Sequence, residues 1–116
     1  MNMAVRSKVW IEIDGEVVLS QGKASLLEAI QETGSLQKAA DRMGMSYRHA
    51  WGIIQKMEHR SRKKLVITKQ GRNGGGSVLT PEARDWLLRF NKFHDGLREL
   101  VDGRFNSAFG DIDLSG

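Results

Sequence analysis

The chain has 116 residues, of which 40% are hydrophobic and 28% charged, a composition typical of a single globular domain. Its longest apolar runs are a few residues and its polar start lacks the apolar core of a signal peptide, so we expect a cytoplasmic protein without a membrane span. The absence of cysteine excludes disulfides, thiolate nucleophiles and cysteine-ligated zinc.

Positive charge is concentrated in one part of the chain. The formal net charge is +4, but residues 38 to 72 hold ten Lys and Arg against two acidic residues, a net charge of +8. The remaining residues carry eight basic side chains against twelve acidic ones, a net charge of −4. Such a block is typical of a protein that binds a phosphate backbone, although an ordinary solvated basic face has the same composition.

Residues 8–20 predict a β-hairpin that is followed by a helix. Apolar and polar residues alternate up to Asp14-Gly15, and this dipeptide favours a tight turn because both positions tolerate positive φ. The next segment, KASLLEAIQETG, has apolar residues at helical spacing and ends at Thr33-Gly34, where a helix stop is expected.

Residues 35–61 predict a helix-turn-helix. Ser35 is a cap residue, and the apolar residues that follow it recur at helical spacing up to Gly44, which ends the first helix. A second helix begins after Ser46, and its Ala50, Ile54 and Met57 form one apolar stripe. The small alanines of the first helix allow the two helices to approach closely.

The outward face of the second helix is the candidate for base recognition. At about 100° per residue, the side opposite Ala50 holds Arg48, Gly52 and Gln55 and almost no acidic residue. Arg and Gln reach guanine and adenine edges bidentately in the major groove, and a glycine allows close approach. We therefore predict that the following residues of this helix bind DNA: Ser46, Tyr47, Arg48, Trp51, Gly52, Gln55 and Lys56.

The glycine-rich run QGRNGGGSVLT raises the alternative of a nucleotide-binding loop. Its spacing matches neither G-x-x-x-x-G-K-[ST] nor G-x-G-x-x-G, and the β-formers Val78 and Leu79 follow it instead of a helix. Residues 65–79 therefore predict a strand, loop and strand, with the glycines at the hairpin tip. We expect this tip to contact the DNA backbone through Lys69, Arg72, Asn73 and Gly74.

Residues 81–102 predict a long C-terminal helix. Thr80 is a typical cap residue, Pro81 is favoured at the first helical position, and the acid Glu82 is favourable in the first turn. Its apolar residues are spaced three and four apart, a pattern that favours packing along a second helix. We predict a homodimer through this helix, with intramolecular packing against the hairpin as the alternative. The predicted interface residues are Trp86, Phe90, Phe93, Leu97 and Leu100, and residues 104–116 are expected to form a flexible tail.

Catalytic chemistry has no clear sequence signature in this chain. His49, His59 and His94 are too scattered for a metal site, and neither HExxH nor G-x-S-x-G is present. We therefore expect neither an enzyme nor a metal or other cofactor.

The stretch GSLQKAADRMGMSYRHAW, followed by LVITKQ and GGGSVLT, resembles the N-terminal winged-helix domain of the ModE family of molybdate-responsive regulators. That domain is itself similar to the LysR-type DNA-binding domain, and the resemblance covers roughly residues 22–103. It implies an α+β winged helix-turn-helix and a homodimeric bacterial or archaeal DNA-binding regulator. Full ModE proteins continue into C-terminal molybdate-binding domains that these residues do not include, so we expect an effector to bind elsewhere or to act through a separate protein.

These observations together predict sequence-specific binding of double-stranded DNA at an inverted-repeat operator. The alternative is a winged-helix module for protein association, which the aromatic residues Tyr47 and Trp51 on the exposed helix would fit. RNA binding is disfavoured because the aromatic strands that stack bases are missing.

Overall fold

The order of helices and strands matches the predicted α+β arrangement. We analysed a computed structural model, which describes residues 1–69 and 76–115. The elements in chain order are β1 (Trp10–Ile13), β2 (Glu16–Ser20), α1 (Gln21–Thr33), α2 (Leu36–Arg42), α3 (Tyr47–Ser61), β3 (Val66–Lys69), β4 (Gly76–Leu79) and α4 (Pro81–Phe109). Among the described residues, no helix is long and apolar enough to cross a bilayer.

The N-terminal hairpin forms as predicted, with Asp14 and Gly15 both at positive φ in its turn. The antiparallel pairing of β1 with β2 shifts register between Ile11 and Glu12. An irregularity of this kind breaks the alternation of side chains along a strand. The consecutive residues Val18 and Leu19 are accordingly both buried.

The helix starts predicted at Ser35, Ser46 and Thr80 are confirmed by hydrogen bonds at their caps, and the structure adds Ser20 as the cap of α1. The side chains of Ser20, Ser35 and Ser46 each accept a hydrogen bond from the backbone N–H three residues later. Thr80 does the same for α4 and also donates to the backbone oxygen of Lys64, at 2.8 Å. This hydroxyl therefore connects the start of α4 to the segment that leads into β3.

One hydrophobic core joins all four helices and both strand pairs of the described chain. α1 contributes Leu26, Leu27 and Ile30, and α3 contributes the predicted stripe of Ala50, Ile54 and Met57. The other buried members are Leu19, Ala24, Ala29, Leu36, Ala39, Ala40, Leu65, Val66, Leu79, Ala83, Leu87 and Phe90. Because one side of α3 is committed to this core, its opposite side faces solvent.

α4 extends further than the sequence predicted. It continues to Phe109, so residues 104–109 are helical and do not belong to a flexible tail. Gly103 does not stop the helix, and beyond it Phe105 stacks on Phe109 one turn later, with ring centroids 5.5 Å apart. The long helix gives the molecule extents of 65 × 30 × 20 Å and a radius of gyration of 18.0 Å. A compact chain of this length would have a radius of about 13 Å.

Candidate nucleic-acid interface

The outward face of α3 has the composition that the sequence predicted. Arg48, Gln55 and Lys56 are all exposed, while Gly52 is half-buried between them. A shallow cavity of about 360 Å³ lies on this face, lined by Ser46, Arg48, His49, Gly52, Ile53 and Lys56. The face therefore combines cationic and hydrogen-bonding side chains around a point where the helix backbone is accessible.

The two aromatic residues that flank this face differ in how far they are buried. Tyr47 is exposed, whereas Trp51 is half-buried and packs against the core. The hydroxyl of Ser46 caps α3 by accepting a hydrogen bond from the His49 backbone N–H at 3.0 Å. Ser46 thus positions the start of the helix, and its side-chain oxygen is already engaged.

The fold neutralises part of the predicted basic block. Ion pairs join Arg42 to Glu32, Arg60 to Glu16, Lys63 to Glu82 and Lys64 to Glu58. Within the described parts of the chain, five cations of the block have no carboxylate oxygen within 4.0 Å: Lys38, Arg48, Lys56, Arg62 and Lys69. The positive charge of the block that remains for a partner therefore lies on α2, along and just after α3, and at the end of β3.

The β3–β4 hairpin is held against Gly34, the residue that ends α1 just before the helix-turn-helix. Its last described pair at the tip is Lys69 with Gly76, and the backbone N–H of Ser77 donates to the Gly34 oxygen at 2.8 Å. A β-carbon added to Gly76 would lie 3.1 Å from that oxygen, so the strand passes too close for a comfortable side chain. Arg72, Asn73 and Gly74, which we predicted at the tip, lie outside the described residues.

Comparison with known proteins identifies the family. Residues 23–84, from α1 to the first turn of α4, match the family described as bacterial regulatory helix-turn-helix protein, lysR family. The chain belongs to the lysR family. It is also similar in sequence to ModE proteins, as the resemblance predicted.

Two relatives illustrate this similarity. The molybdenum transport protein ModE of Azotobacter vinelandii is 35% identical over 97 residues, which cover 83% of this chain and 36% of the relative. The molybdenum-pterin-binding protein MopB of Rhodobacter capsulatus is 34% identical over 80 residues, which cover 68% of this chain and 30% of the relative. The chain therefore spans about a third of the length of these relatives.

Solved structures support the winged-helix fold. The DNA-binding domain of BenM, solved with its benA site 1 DNA, matches with a TM-score of 0.60 at 21% identity and covers 79% of this chain and 99% of that one. The domain of CbnR in a DNA complex matches with a TM-score of 0.58 at 19% identity, covering 74% and 94%. At such identities the likeness establishes the fold alone.

Lys23 of this lysR-family chain is a candidate site residue that the sequence did not predict. It lies in the first turn of α1, outside the basic block, and the fold brings it close to Lys56 and Arg60. Partial burial lowers the pKa of its ammonium group, and the charges of Arg60 and Lys56 lower it further. A nearby anion would relieve this repulsion. The sequence carries no signal for this electrostatic interaction, because it joins residues from two separate helices.

Glu58 has a structural role that removes it from the candidate interface. Its Oε2 atom accepts hydrogen bonds from the backbone N–H groups of Leu65 and Val66, at 2.8 and 3.1 Å. Its side chain is 12% exposed. One of the two acids of the basic block thus ties the entry of β3 to α3 in this lysR-family domain, and its carboxylate points away from the outward face.

We expect Glu58→Ala to lower the free energy of unfolding by about 2 kcal/mol, because two backbone donors lose a charged acceptor. Urea denaturation measures this change. Lys64→Ala is the control: it removes a lysine side chain that is 61% exposed and lies 3.5 Å from Glu58, and it should cost about 0.5 kcal/mol or less. Equal small losses for both variants would show that the carboxylate does not anchor β3.

The residues predicted for a dimer interface do not form one exposed stripe. Phe90 is 1% exposed in the single chain and belongs to the core, which contradicts its assignment to a dimer interface. Trp86 also packs against the core, and Leu97 is half-buried. Phe93 and Leu100 are about half exposed. The first half of α4 therefore packs within this lysR-family chain, mainly against α1 and β4, whereas the stated alternative was packing against the hairpin.

Proposed function

We propose that the chain binds double-stranded DNA sequence-specifically and regulates transcription. The observation that carries this proposal is the exposed face of α3, where Arg48 and Gln55 stand beside Gly52 without an acidic neighbour. In this proposal α3 enters the major groove and these two side chains reach base edges. BenM and CbnR have been solved in complexes with DNA, which supports a DNA partner for the same fold.

Phosphate contacts are assigned to cations around this face. Lys56 and Lys69 have no carboxylate partner among the described residues, and the charges of Arg60 and Lys56 act on Lys23. These side chains would fix the register of α3 on the duplex without reading sequence. Arg72, Asn73 and Gly74 remain predicted backbone contacts of the hairpin tip, and Ser46, Tyr47 and Trp51 remain predicted contacts of α3. In this proposal the protein acts in the cytoplasm, where chromosomal DNA lies.

The proposed active form is a homodimer on an inverted repeat. Phe93 and Leu100 are seven residues apart and therefore lie on nearly the same side of α4, where both are about half exposed. Gly96 lies next to this side, and an added β-carbon there would meet no atom within 4 Å. Such a surface allows a second helix to approach closely, and a two-fold dimer would present two α3 helices to two half-sites.

Arg48→Ala is expected to weaken binding to the preferred sequence by about 1–3 kcal/mol and to relax base preference, because a bidentate base contact is lost. Selecting bound sequences from a random DNA pool supplies the preferred site, and gel shifts of wild type and variant measure both effects. Lys69→Gln is the control, and it should weaken all sequences to a similar extent. An Arg48→Ala variant with unchanged affinity and preference would contradict the assignment of α3 as the reading helix.

A salt titration separates DNA binding from protein docking. Binding through several phosphates weakens steeply with salt, with a slope of about −0.9 per phosphate on a logarithmic plot. A flat salt dependence, or no enrichment from the random pool, would favour the protein-association alternative. An enriched inverted repeat would support specific binding and the two-fold dimer together.

A further inference from the structure

A second cavity lies away from the proposed DNA interface, between the N-terminal segment and α4. It has a volume of about 290 Å³ and is lined by residues 5–7, Val9 and one side of α4 from His94 to Asp102. Small-molecule sites have volumes from about 300 Å³ upward and combine an apolar surface with a few polar groups. This cavity has the size of the smallest such sites.

The polar groups of the cavity carry a positive excess. The segment contributes the guanidinium group of Arg6 and α4 contributes that of Arg98, against the single carboxylate of Asp102, and Ser7 and His94 add hydrogen-bonding groups. In the described parts of the chain, neither arginine has a carboxylate oxygen within 4.0 Å, although Asp102 lines the same space. Guanidinium groups bind carboxylate and phosphate oxygens in a bidentate manner, so this wall matches a small anion.

The remaining lining is aliphatic. Val5 and Val9 of the segment and Leu97 and Val101 of α4 are all half-buried and share the cavity. His94 is held in place beside them, because its ring stacks on the buried Phe90 with centroids 5.8 Å apart. The cavity therefore offers cationic groups and a branched aliphatic surface to the same ligand.

We propose that this cavity binds a small organic anion with an aliphatic body, such as a branched or cyclic monocarboxylate. The carboxylate lies between Arg6 and Arg98, and the hydrocarbon part packs on the valines and Leu97. The bound molecule contacts both the N-terminal segment and α4, and it therefore holds the segment against the helix. This assignment concerns ligand binding alone and does not depend on DNA binding.

Calorimetry and amide NMR on the full chain test the site with cyclohexanecarboxylate at neutral pH. We expect saturable binding with shifts centred on Ser7, Leu97 and Val101. Arg98→Gln and Arg6→Gln should each weaken it about tenfold or more, because a charge-assisted hydrogen bond is lost. Lys92→Gln is the control, since it removes an exposed cation of α4 outside the cavity lining and should leave affinity within about twofold.

Two further probes separate the contributions of charge and apolar surface. Cyclohexylmethanol keeps the ring without the charge, and acetate keeps the charge without the ring, so both should bind more weakly than the acid. Several outcomes would overturn the proposal: no saturable binding of the acid, NMR shifts centred elsewhere, or a loss in Lys92→Gln equal to that in Arg98→Gln. Circular dichroism of each variant confirms that altered binding does not come from unfolding.

Discussion

Phe90→Ala is expected to lower the free energy of unfolding by about 3–5 kcal/mol, the cost of removing a buried aromatic ring from a packed core. Phe90 is 1% exposed and lies in the cluster that joins α4 to the other helices. It also supports the ring of His94. The loss is a large fraction of the total stability of a domain of this size, and the variant should melt well below the wild type.

Urea denaturation at several protein concentrations measures this loss and separates it from any change in self-association. Leu88→Ala is the control, because Leu88 is 64% exposed on the same helix and should contribute within about 0.5 kcal/mol. A loss for Phe90→Ala as small as that of the control would mean that Phe90 is not a core residue. If Phe90→Ala instead dissociated a dimer without lowering monomer stability, Phe90 would be an interface residue, as the sequence predicted.

Phe93→Asp and Leu100→Asp are expected to convert a dimer to a monomer and to weaken operator binding by about a hundredfold or more, because the second half-site no longer binds as part of the same complex. Both side chains are about half exposed in the single chain, so a charge there is tolerated by the fold. The same charge would be unpaired when buried between two helices.

Sedimentation velocity measures the oligomeric state, and gel shifts on one and two half-sites measure the effect on DNA. Leu88→Asp is the matched control, because at about 100° per residue Leu88 points away from Phe93 and Leu100. It should leave both the oligomer and the affinity unchanged. If the three variants sediment like the wild type, the proposed face of α4 is not the dimer interface.

Most of the secondary structure could be predicted from short stretches of sequence. Ser35, Ser46 and Thr80 begin helices because their hydroxyls bond to backbone N–H groups three residues away. The turn at Asp14-Gly15 depends on the φ preferences of two neighbours. The outward face of α3 was also predictable, since helical geometry fixes it once Ala50, Ile54 and Met57 are assigned to the core.

The end of α4 was not predictable by the same signals. The helix was predicted to end at residue 102, before Gly103, yet it continues to Phe109. A single glycine costs a helix only about 1 kcal/mol, which the hydrogen bonds and contacts on either side can outweigh. The end of a helix therefore depends on the sum of several small free-energy contributions. The start of a helix is easier to predict, because a cap residue makes a specific hydrogen bond there.

The sequence by itself determined the order of elements, the two faces of α3 and the excess of basic residues around it. The tertiary structure alone decided which of those charges remain available: Arg60 and Lys64 pair with carboxylates, Glu58 turns inward, and Lys23 joins from α1. It also decided that Phe90 belongs to the core and Phe93 to the surface. The physical reason is the sequence separation of the interacting residues. Caps and helical faces arise from residues within about one turn, whereas ion pairs and burial depend on contacts between distant segments of the chain.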